Sequence, residues 1–165
     1  MNENLINKTS MRRQDAFCHC RGFGLSCAPN HLIEAMYRAV TRQIEVLVEP
    51  EFLPERSSPE KQQFFWAYSI TIVNGGPDSV QLKTRHWVIT DGFGQQQEVR
   101  GEGVVGEQPV IGPGERYEYT SGVPLTTSSG FMTGSYQMVT EDGEAFDLAI
   151  PLFSLDSPDI RRTLN

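Results

Sequence analysis

Three glycines at the spacing G-x-G-x-x-G form the pattern in this sequence that most resembles a ligand-binding motif. They are Gly101, Gly103 and Gly106. In a dinucleotide-binding fold this spacing closes a strand and opens a helix, whose N-terminus holds the pyrophosphate. Here residues 107–114 contain two prolines and two further glycines, which do not sustain several helical turns. The pattern favours a turn or bulge with positive φ, and the alternative is a helix-free loop whose N–H groups meet an anion.

Three arginines lie where they would supply positive charge to a phosphate at the glycine loop. They are Arg85, on a neighbouring predicted strand, Arg100, beside the first glycine, and Arg116, after the turn at 112–114. Guanidinium groups and backbone amides together hold phosphate oxygens well. Glu102 and Glu107 flank the same glycines and would repel an anion. A diphosphate or nucleotide site is therefore the alternative function.

The residue types that support catalysis or metal binding are scattered. His86 is the only histidine after residue 35, and its mid-strand position favours a structural role. Candidate cation ligands are His86, Asp91, Glu102, Glu107, Glu141, Asp142 and Glu144. They include neither a D-x-D-x-D loop nor an H-x-x-x-H pair, and residues 141–144 are typical of a solvated hairpin turn. We predict no catalytic residue, no enzyme activity and no resident cofactor or metal, and leave a weakly bound divalent cation open.

Composition narrows the classes of partner. The chain has 165 residues, long enough for one domain with a real core, and a formal net charge of −7. Such an acidic chain repels a phosphate backbone, so nucleic-acid binding is not expected. No apolar run approaches membrane-spanning length, so we expect no membrane insertion and a cytoplasmic location.

Residues 1–35 differ in texture from the rest, with no sustained period of 2 or 3.6. They hold all three cysteines, Cys18, Cys20 and Cys27, together with His19 and His31. The spacing is not one of the strong zinc patterns, so a small zinc site is only an alternative. We interpret 1–35 as an extension that is disordered or not native, with Met36 as the natural start, and 36–165 as the domain.

Short segments of alternating polarity, separated by Gly/Pro turns, follow from residue 37. The strongest is 64–74, with Phe64, Trp66, Tyr68, Ile70 and Ile72 at period two. Other strands are predicted at 37–48 (ended by Pro50), 80–90, 95–100, 115–121, 131–140 and 145–153, with a tight turn at 74–78. The pattern predicts an all-β, antiparallel β-sandwich, with a small closed barrel as the alternative.

Four linked motifs resemble the ApaG family: RHWVITDGFG at 85–94, VRGEGVVGEQP at 99–109, PGERYEYTSG at 113–122 and GFMTGSYQM at 130–138. The resemblance covers about residue 36 to the end. It implies a fibronectin type III-like, immunoglobulin-like sandwich in a bacterial protein connected with cobalt and magnesium efflux. The family has no established catalytic residues to carry over. Because nothing here spans a bilayer, any connection with efflux is indirect.

We therefore predict a non-catalytic interaction module that acts through a protein partner or through self-association. The aromatic run 64–68 supports this, because its aromatics cannot all enter one core, and Phe65 or a neighbour is expected to face outward and serve a partner or a second copy of the chain. Candidate binding residues are Arg85, His86, Asp91, Arg100, Gly101, Gly103, Gly106 and Arg116. Pyrophosphate or a nucleotide stays open as a weak ligand.

Overall fold

The computed structural model describes residues 36–158, which form nine strands and no α-helix. The strands are β1 (Tyr37–Thr41), β2 (Ile44–Phe52), β3 (Phe64–Asn74), β4 (Val80–Asp91), β5 (Gln96–Glu102), β6 (Val110–Ile111), β7 (Arg116–Leu125), β8 (Ser129–Thr140) and β9 (Ala145–Asp156). Two short 3-10 turns, Pro54–Arg56 and Pro59–Lys61, lie between β2 and β3. The predicted extension 1–35, with its zinc alternative, lies outside the described residues.

The strands form two antiparallel sheets that pack face to face. The first sheet has the order β1-β2-β3-β7, and the second has the order β5-β4-β8-β9, with β6 pairing the start of β4. The predicted antiparallel β-sandwich is confirmed. β1 and β2 pack on β9, so β7 and β5 are the sheet edges on the opposite side. No helix in this part of the chain has the length and apolarity to cross a membrane.

Strict alternation along the strands builds the core between the sheets. Phe64, Trp66, Tyr68, Ile70 and Ile72 of β3 are all buried, as the period-two pattern predicts. The second sheet contributes Trp87, Met132, Tyr136, Leu148 and Phe153. Trp87 makes edge-on ring contacts with Tyr68, Tyr136 and Phe153, so one aromatic cluster joins both sheets.

The prediction of a single strand over 37–48 is wrong, because the chain reverses at Arg42 and Gln43. Both residues have positive φ, 50° and 65°, although neither is glycine. Tertiary contacts hold this turn: the Gln43 carbonyl accepts the Gly75 N–H at 3.0 Å. The Arg42 guanidinium pairs with Glu144 at 2.8 Å and lies over the Phe146 ring at 4.6 Å.

Pro50 does not end β2, which continues to Phe52. The Leu53 N–H donates to the Phe65 carbonyl at 2.9 Å, which fixes the alternation of hydrogen bonds along β2. By this alternation the missing N–H of Pro50 faces the β1 side. β1 begins at Tyr37, opposite Val48, so Pro50 lies beyond that ladder and costs no bond in it.

Candidate functional site

The last two glycines of the G-x-G-x-x-G motif build a tight turn at the end of β5. Gly103 and Gly106 have φ of +57° and +77°. The Val104 N–H donates to the Glu107 carbonyl at 2.8 Å, and the Glu107 N–H returns a bond to Val104 at 2.9 Å. A Cβ on Gly103 would lie 2.1 Å from the Glu107 carbonyl oxygen. The turn therefore requires glycine at 103 for steric reasons, without reference to a ligand.

Gly101 has a different role, because it makes room for Arg85. The two residues face each other across β4 and β5. A Cβ on Gly101 would lie 3.0 Å from the guanidinium carbon of Arg85. The Nη1 atom of Arg85 donates to the carbonyls of Glu102 and Gly103 at 3.0 and 2.8 Å. Arg85 thus holds the end of β5 and the start of the glycine turn through two hydrogen bonds to backbone carbonyls.

This geometry leaves few donors for a phosphate. Besides the turn bonds of Val104 and Glu107, the Gly103 N–H donates to the Lys83 carbonyl at 2.8 Å. Of the predicted arginines, the structure brings only Arg85 to the glycines. Arg100 lies on the other face of β5 and pairs with Glu98 at 3.1 Å, and Arg116 pairs with Glu118 in the other sheet at 3.3 Å. Diphosphate binding stays a prediction, and these contacts do not favour it.

His86 belongs to an exposed row on the outer face of the second sheet. Its Nε2 atom lies 3.0 Å from a Glu98 oxygen, and Arg100 contacts the same oxygen. Arg100 and then His86 hold the pKa of Glu98 below its usual value. Within residues 36–158, no three His, Cys, Asp or Glu side chains are grouped for metal binding. Glu144, another candidate ligand, pairs with Arg42 instead.

Asp91 organises a rigid loop between β4 and β5. Its Oδ1 atom accepts the N–H groups of Phe93 and Gln95, both at 2.9 Å. The backbone of Asp91 also bonds Gly94 and Gln95, and Gly94 turns the chain with φ of +82°. On the outside of this loop Phe93 is 81% exposed. Asp91 is thus a structural cap that presents an aromatic ring to solvent.

A second set of contacts ties this loop to the body of the sandwich. The Gly92 N–H donates to the Thr127 hydroxyl at 2.9 Å, and that hydroxyl donates to the Ser129 carbonyl at 2.7 Å. A Cβ on Gly92 would lie 3.1 Å from Ser129, so the loop sits close against the β7–β8 connection.

Beside Phe93 lies an open groove of about 340 Å³. Apolar and hydroxyl side chains line it: Pro59, Gln62, Phe64, Phe93, Thr126, Thr127, Ser128 and Ser129, together with Gly92. Its walls come from three connections at one end of the sandwich, as in many sandwich domains that bind through their loops.

Phe65 faces outward, as predicted, but the preceding loop covers part of it. The guanidinium of Arg56 lies 4.9 Å from the centre of the Phe65 ring. The ring is therefore half-buried rather than presented to a partner.

A cluster of tyrosine hydroxyls lies between the sheets near Arg85. Tyr119 and Tyr136 share a hydrogen bond, and Tyr68 bonds Ser121. Burial raises the pKa of Tyr68, Tyr119 and Tyr136, and burial with the nearby Glu107 raises the pKa of Tyr117 to about 12. These phenols stay protonated at neutral pH, so they do not supply a base.

The comparisons with known proteins identify the family. Residues 54–140 match the ApaG domain. A protein named Protein ApaG from Bradyrhizobium diazoefficiens is 68% identical over 130 residues, which cover 79% of this chain and all of the relative. The chain belongs to the ApaG family. Another Protein ApaG, from Bradyrhizobium sp. BTAi1, is 70% identical over 131 residues, again 79% of this chain and all of the relative.

Solved structures agree with the ApaG assignment. A crystal structure named as an ApaA protein, from Bordetella pertussis, is 49% identical with a TM-score of 0.68, covering 70% of this chain and 94% of that one. An X-ray structure of a structural-genomics target is 43% identical with a TM-score of 0.69, covering 74% and 92% of the two chains.

Phe93 is the feature of this ApaG chain that the sequence interpretation missed. The stretch Asp91-Gly92-Phe93-Gly94 has the composition of a turn, in which the sequence offers Asp91 but not Phe93 as a candidate binding residue. The available signal was the large aromatic at its centre, since a tight polar turn leaves such a ring nowhere to bury.

Proposed function

We propose that this ApaG-family protein is a non-catalytic interaction module that binds a protein partner through the end of the sandwich that carries Phe93. The observation that carries the proposal is an exposed aromatic ring on a loop whose backbone is held by hydrogen bonds. The side chains of Asp91 and Thr127 accept N–H groups of the loop, while Phe93 itself is 81% exposed. A loop backbone held in this way loses little conformational entropy on binding, and exposed aromatic side chains are typical interface anchors.

The groove next to the ring supports the same assignment. It places the accessible edge of Phe64, which is only 9% exposed, beside Thr126 and Ser128 within one concave surface. Interfaces commonly combine such a central apolar anchor with surrounding polar groups that bond the partner. A partner side chain that enters the groove would therefore contact Phe93 at the same time.

The chemistry of the described residues supports a role without catalysis. His86 is held by Glu98 on an exposed sheet face. Ser121 bonds Tyr68 between the sheets, and the neighbouring phenols have raised pKa values. A nucleophile needs an adjacent, oriented base, and none of these groups forms such a pair. Any effect on cobalt or magnesium homeostasis would then act through the partner, in the cytoplasm.

Site-specific photo-crosslinking in living cells tests the proposal. A photo-reactive phenylalanine analogue replaces Phe93 in one strain, and Leu152, which is 58% exposed on β9, in a control strain. We expect a discrete protein adduct from position 93 and none at the same mass from position 152. No adduct at 93, or the same adduct at both positions, contradicts the proposal.

A further inference from the structure

The two sides of the sandwich differ in how their edge strands are covered. On one side, two hydrogen bonds join β1 to β9. The Tyr37 and Ser154 hydroxyls share a hydrogen bond of 2.7 Å, and the Ala149 N–H donates to the Thr41 hydroxyl at 3.3 Å. On the other side, within residues 36–158, β7 pairs with β3 alone along its whole length. The β7 edge is therefore the longer open edge of the first sheet.

One hydrogen bond shows which backbone groups of β7 point away from β3. The Asn74 N–H donates to the Glu115 carbonyl at 2.9 Å, so these two residues form a hydrogen-bonded pair. By antiparallel alternation, the odd-numbered residues of β7 bond β3, and the even-numbered ones point their N–H and C=O groups away from it. The outward set is Arg116, Glu118, Thr120, Gly122 and Pro124. Pro124, the residue without an N–H, falls in this set, where it costs no ladder bond.

β7 lacks most of the devices that protect edge strands. Its register with β3 runs without a bulge from Phe64 opposite Leu125 to Val73 opposite Arg116. Lysine is absent from it, and its outward charges, Arg116 and Glu118, neutralise each other in an exposed ion pair at 3.3 Å. A long, regular edge whose protection is limited to Pro124 and one neutral ion pair is a template for an added strand.

The side chains beside this edge define the added strand. On its inner face, Tyr117 and Tyr119 are only partly buried and Val99 of β5 lies among the partly buried residues of the core. Apolar side chains at alternate positions of an added strand would cover these groups. The outer face of the first sheet carries Glu45, Glu49, Glu51 and Glu118 against Arg38, Arg116 and Arg56, which lies over Phe65. Basic side chains at the other positions complement that face.

We propose that β7 binds an extended segment of a partner protein by strand addition, with apolar and basic residues alternating in that segment. This rests on the proposed function and adds the means by which a partner is held. The outward N–H groups of Glu118, Thr120 and Gly122 bond the backbone of the segment. A second copy of this chain is the competing occupant, and the dependence of amide protection on protein concentration distinguishes it from a partner segment.

The test uses the full chain and the synthetic peptide acetyl-Lys-Val-Lys-Tyr-Lys-Val-Thr-amide. Amide hydrogen exchange is followed by NMR at saturating peptide. We expect exchange at Glu118, Thr120 and Gly122 to slow by about tenfold or more, while Tyr119 and Ser121, already bonded to β3, change little. The matched peptide with Glu in place of Lys should bind about tenfold more weakly.

Two substitutions at one residue supply the structural control. Thr120→Pro and Thr120→Ala both remove the hydroxyl bond to Ser69, which spans 2.9 Å, but only proline removes the outward N–H. We expect Thr120→Pro to lower the peptide affinity about tenfold or more and Thr120→Ala to stay within about twofold. Should Thr120→Pro fail to fold, Glu118→Lys replaces it. We then expect the lysine peptide to bind more weakly and the glutamate peptide to bind more tightly.

Results that contradict strand addition at β7 can be distinguished from results that contradict the proposed interaction module. Equal affinity of Thr120→Pro and Thr120→Ala, absence of peptide binding, or shifts confined to the Phe93 loop overturn strand addition. Protection of the outward amides that rises with protein concentration, without peptide, also overturns it and assigns the edge to a second copy. None of these results changes the crosslink expected at position 93, which tests the interaction module independently.

Discussion

At the residue scale, Asn74 joins three segments of the chain at one end of the sandwich: the end of β3, the turn after it and β6. It is fully buried, and its Nδ2 atom donates to the carbonyls of Asp78 and Ile111 at 2.8 and 2.9 Å. Its Oδ1 atom accepts the Gly76 N–H at 3.0 Å. Replacement by alanine would leave the buried Ile111 carbonyl, and the partly buried Asp78 carbonyl and Gly76 N–H, without these partners. We expect Asn74→Ala to lower the free energy of unfolding by about 3 kcal/mol, measured by urea denaturation.

The matched control for Asn74 is an exposed hydroxyl bond. Ser69 bonds Thr120 at 2.9 Å on the outer face of the first sheet, where water replaces a lost partner. Ser69→Ala should change the free energy of unfolding by less than about 1 kcal/mol. If Asn74→Ala were as mild as this control, the account of the buried side-chain bonds would be wrong.

The glycines of the G-x-G-x-x-G motif are distinguished by substitution. A Cβ on Gly103 would collide with the Glu107 carbonyl, whereas a Cβ on Gly106 meets open space at a similar positive φ. We expect Gly106→Ala to cost roughly 1–2 kcal/mol in the free energy of unfolding and Gly103→Ala at least about 3 kcal/mol. Urea denaturation measures both. Equal costs would mean that the tight approach at Gly103 is not what requires glycine there.

At the element scale, the turn after β5 contains a residue that suits it poorly. Val105 and Gly106 both have positive φ between the bonded residues Val104 and Glu107, a pattern for which Asn-Gly is favoured. A β-branched side chain is strained there. We expect Val105→Asn to raise the free energy of unfolding by about 1 kcal/mol, seen as a higher Tm.

Val110 provides the comparison for Val105. It is also an exposed valine, but it lies in the short strand β6, where asparagine has no advantage. Val110→Asn should leave Tm unchanged or lower it. A gain at Val110 equal to that at Val105 would show that surface polarity, rather than relief of backbone strain, raises the stability.

The strands were more predictable than their connections, for a physical reason. The sequence of β3 shows the alternation of burial directly, because its residues from Phe64 to Ile72 lie in turn in the core and towards the surface. The turn at Arg42 and Gln43 carries no such signal. Its positive φ values are held by Gly75 and Glu144, far away along the chain. Pro50 was predicted to end its strand for a similar reason. β2 accommodates this proline because β1 starts at Tyr37, opposite Val48, and the sequence does not show that start.

At the scale of the whole molecule, the buried phenols make stability depend on alkaline pH. Burial raises the pKa of Tyr68, Tyr119 and Tyr136 above the ordinary value of 10.0. Above that value the unfolded chain loses these protons while the folded chain retains them, so stability falls as pH rises. We expect the urea midpoint to fall between about pH 9 and pH 11, and Tyr136→Phe to show a shallower fall. An unchanged slope in Tyr136→Phe would contradict this.

The candidate site was predictable only in part. Arg85 was predicted only to lie on a strand next to the glycine loop, and the structure places it directly opposite Gly101. Arg100 and Arg116 were predicted to lie near the glycines, but the structure does not bring them there. Strand alternation places Arg100 on the other face of β5, and the sheet order places Arg116 in the other sheet. Phe93 stands out only when its exposure is known, since sequence does not show which loop covers an aromatic.

The binding role of Phe93 is the central claim, and affinity measures it most directly. With the partner identified from the crosslink at position 93, calorimetric titration would compare Phe93→Ala and Leu152→Ala with the unaltered protein. The account predicts that Phe93→Ala weakens binding by about tenfold or more while Leu152→Ala stays within about twofold. Equal affinities for Phe93→Ala and the unaltered protein would contradict it.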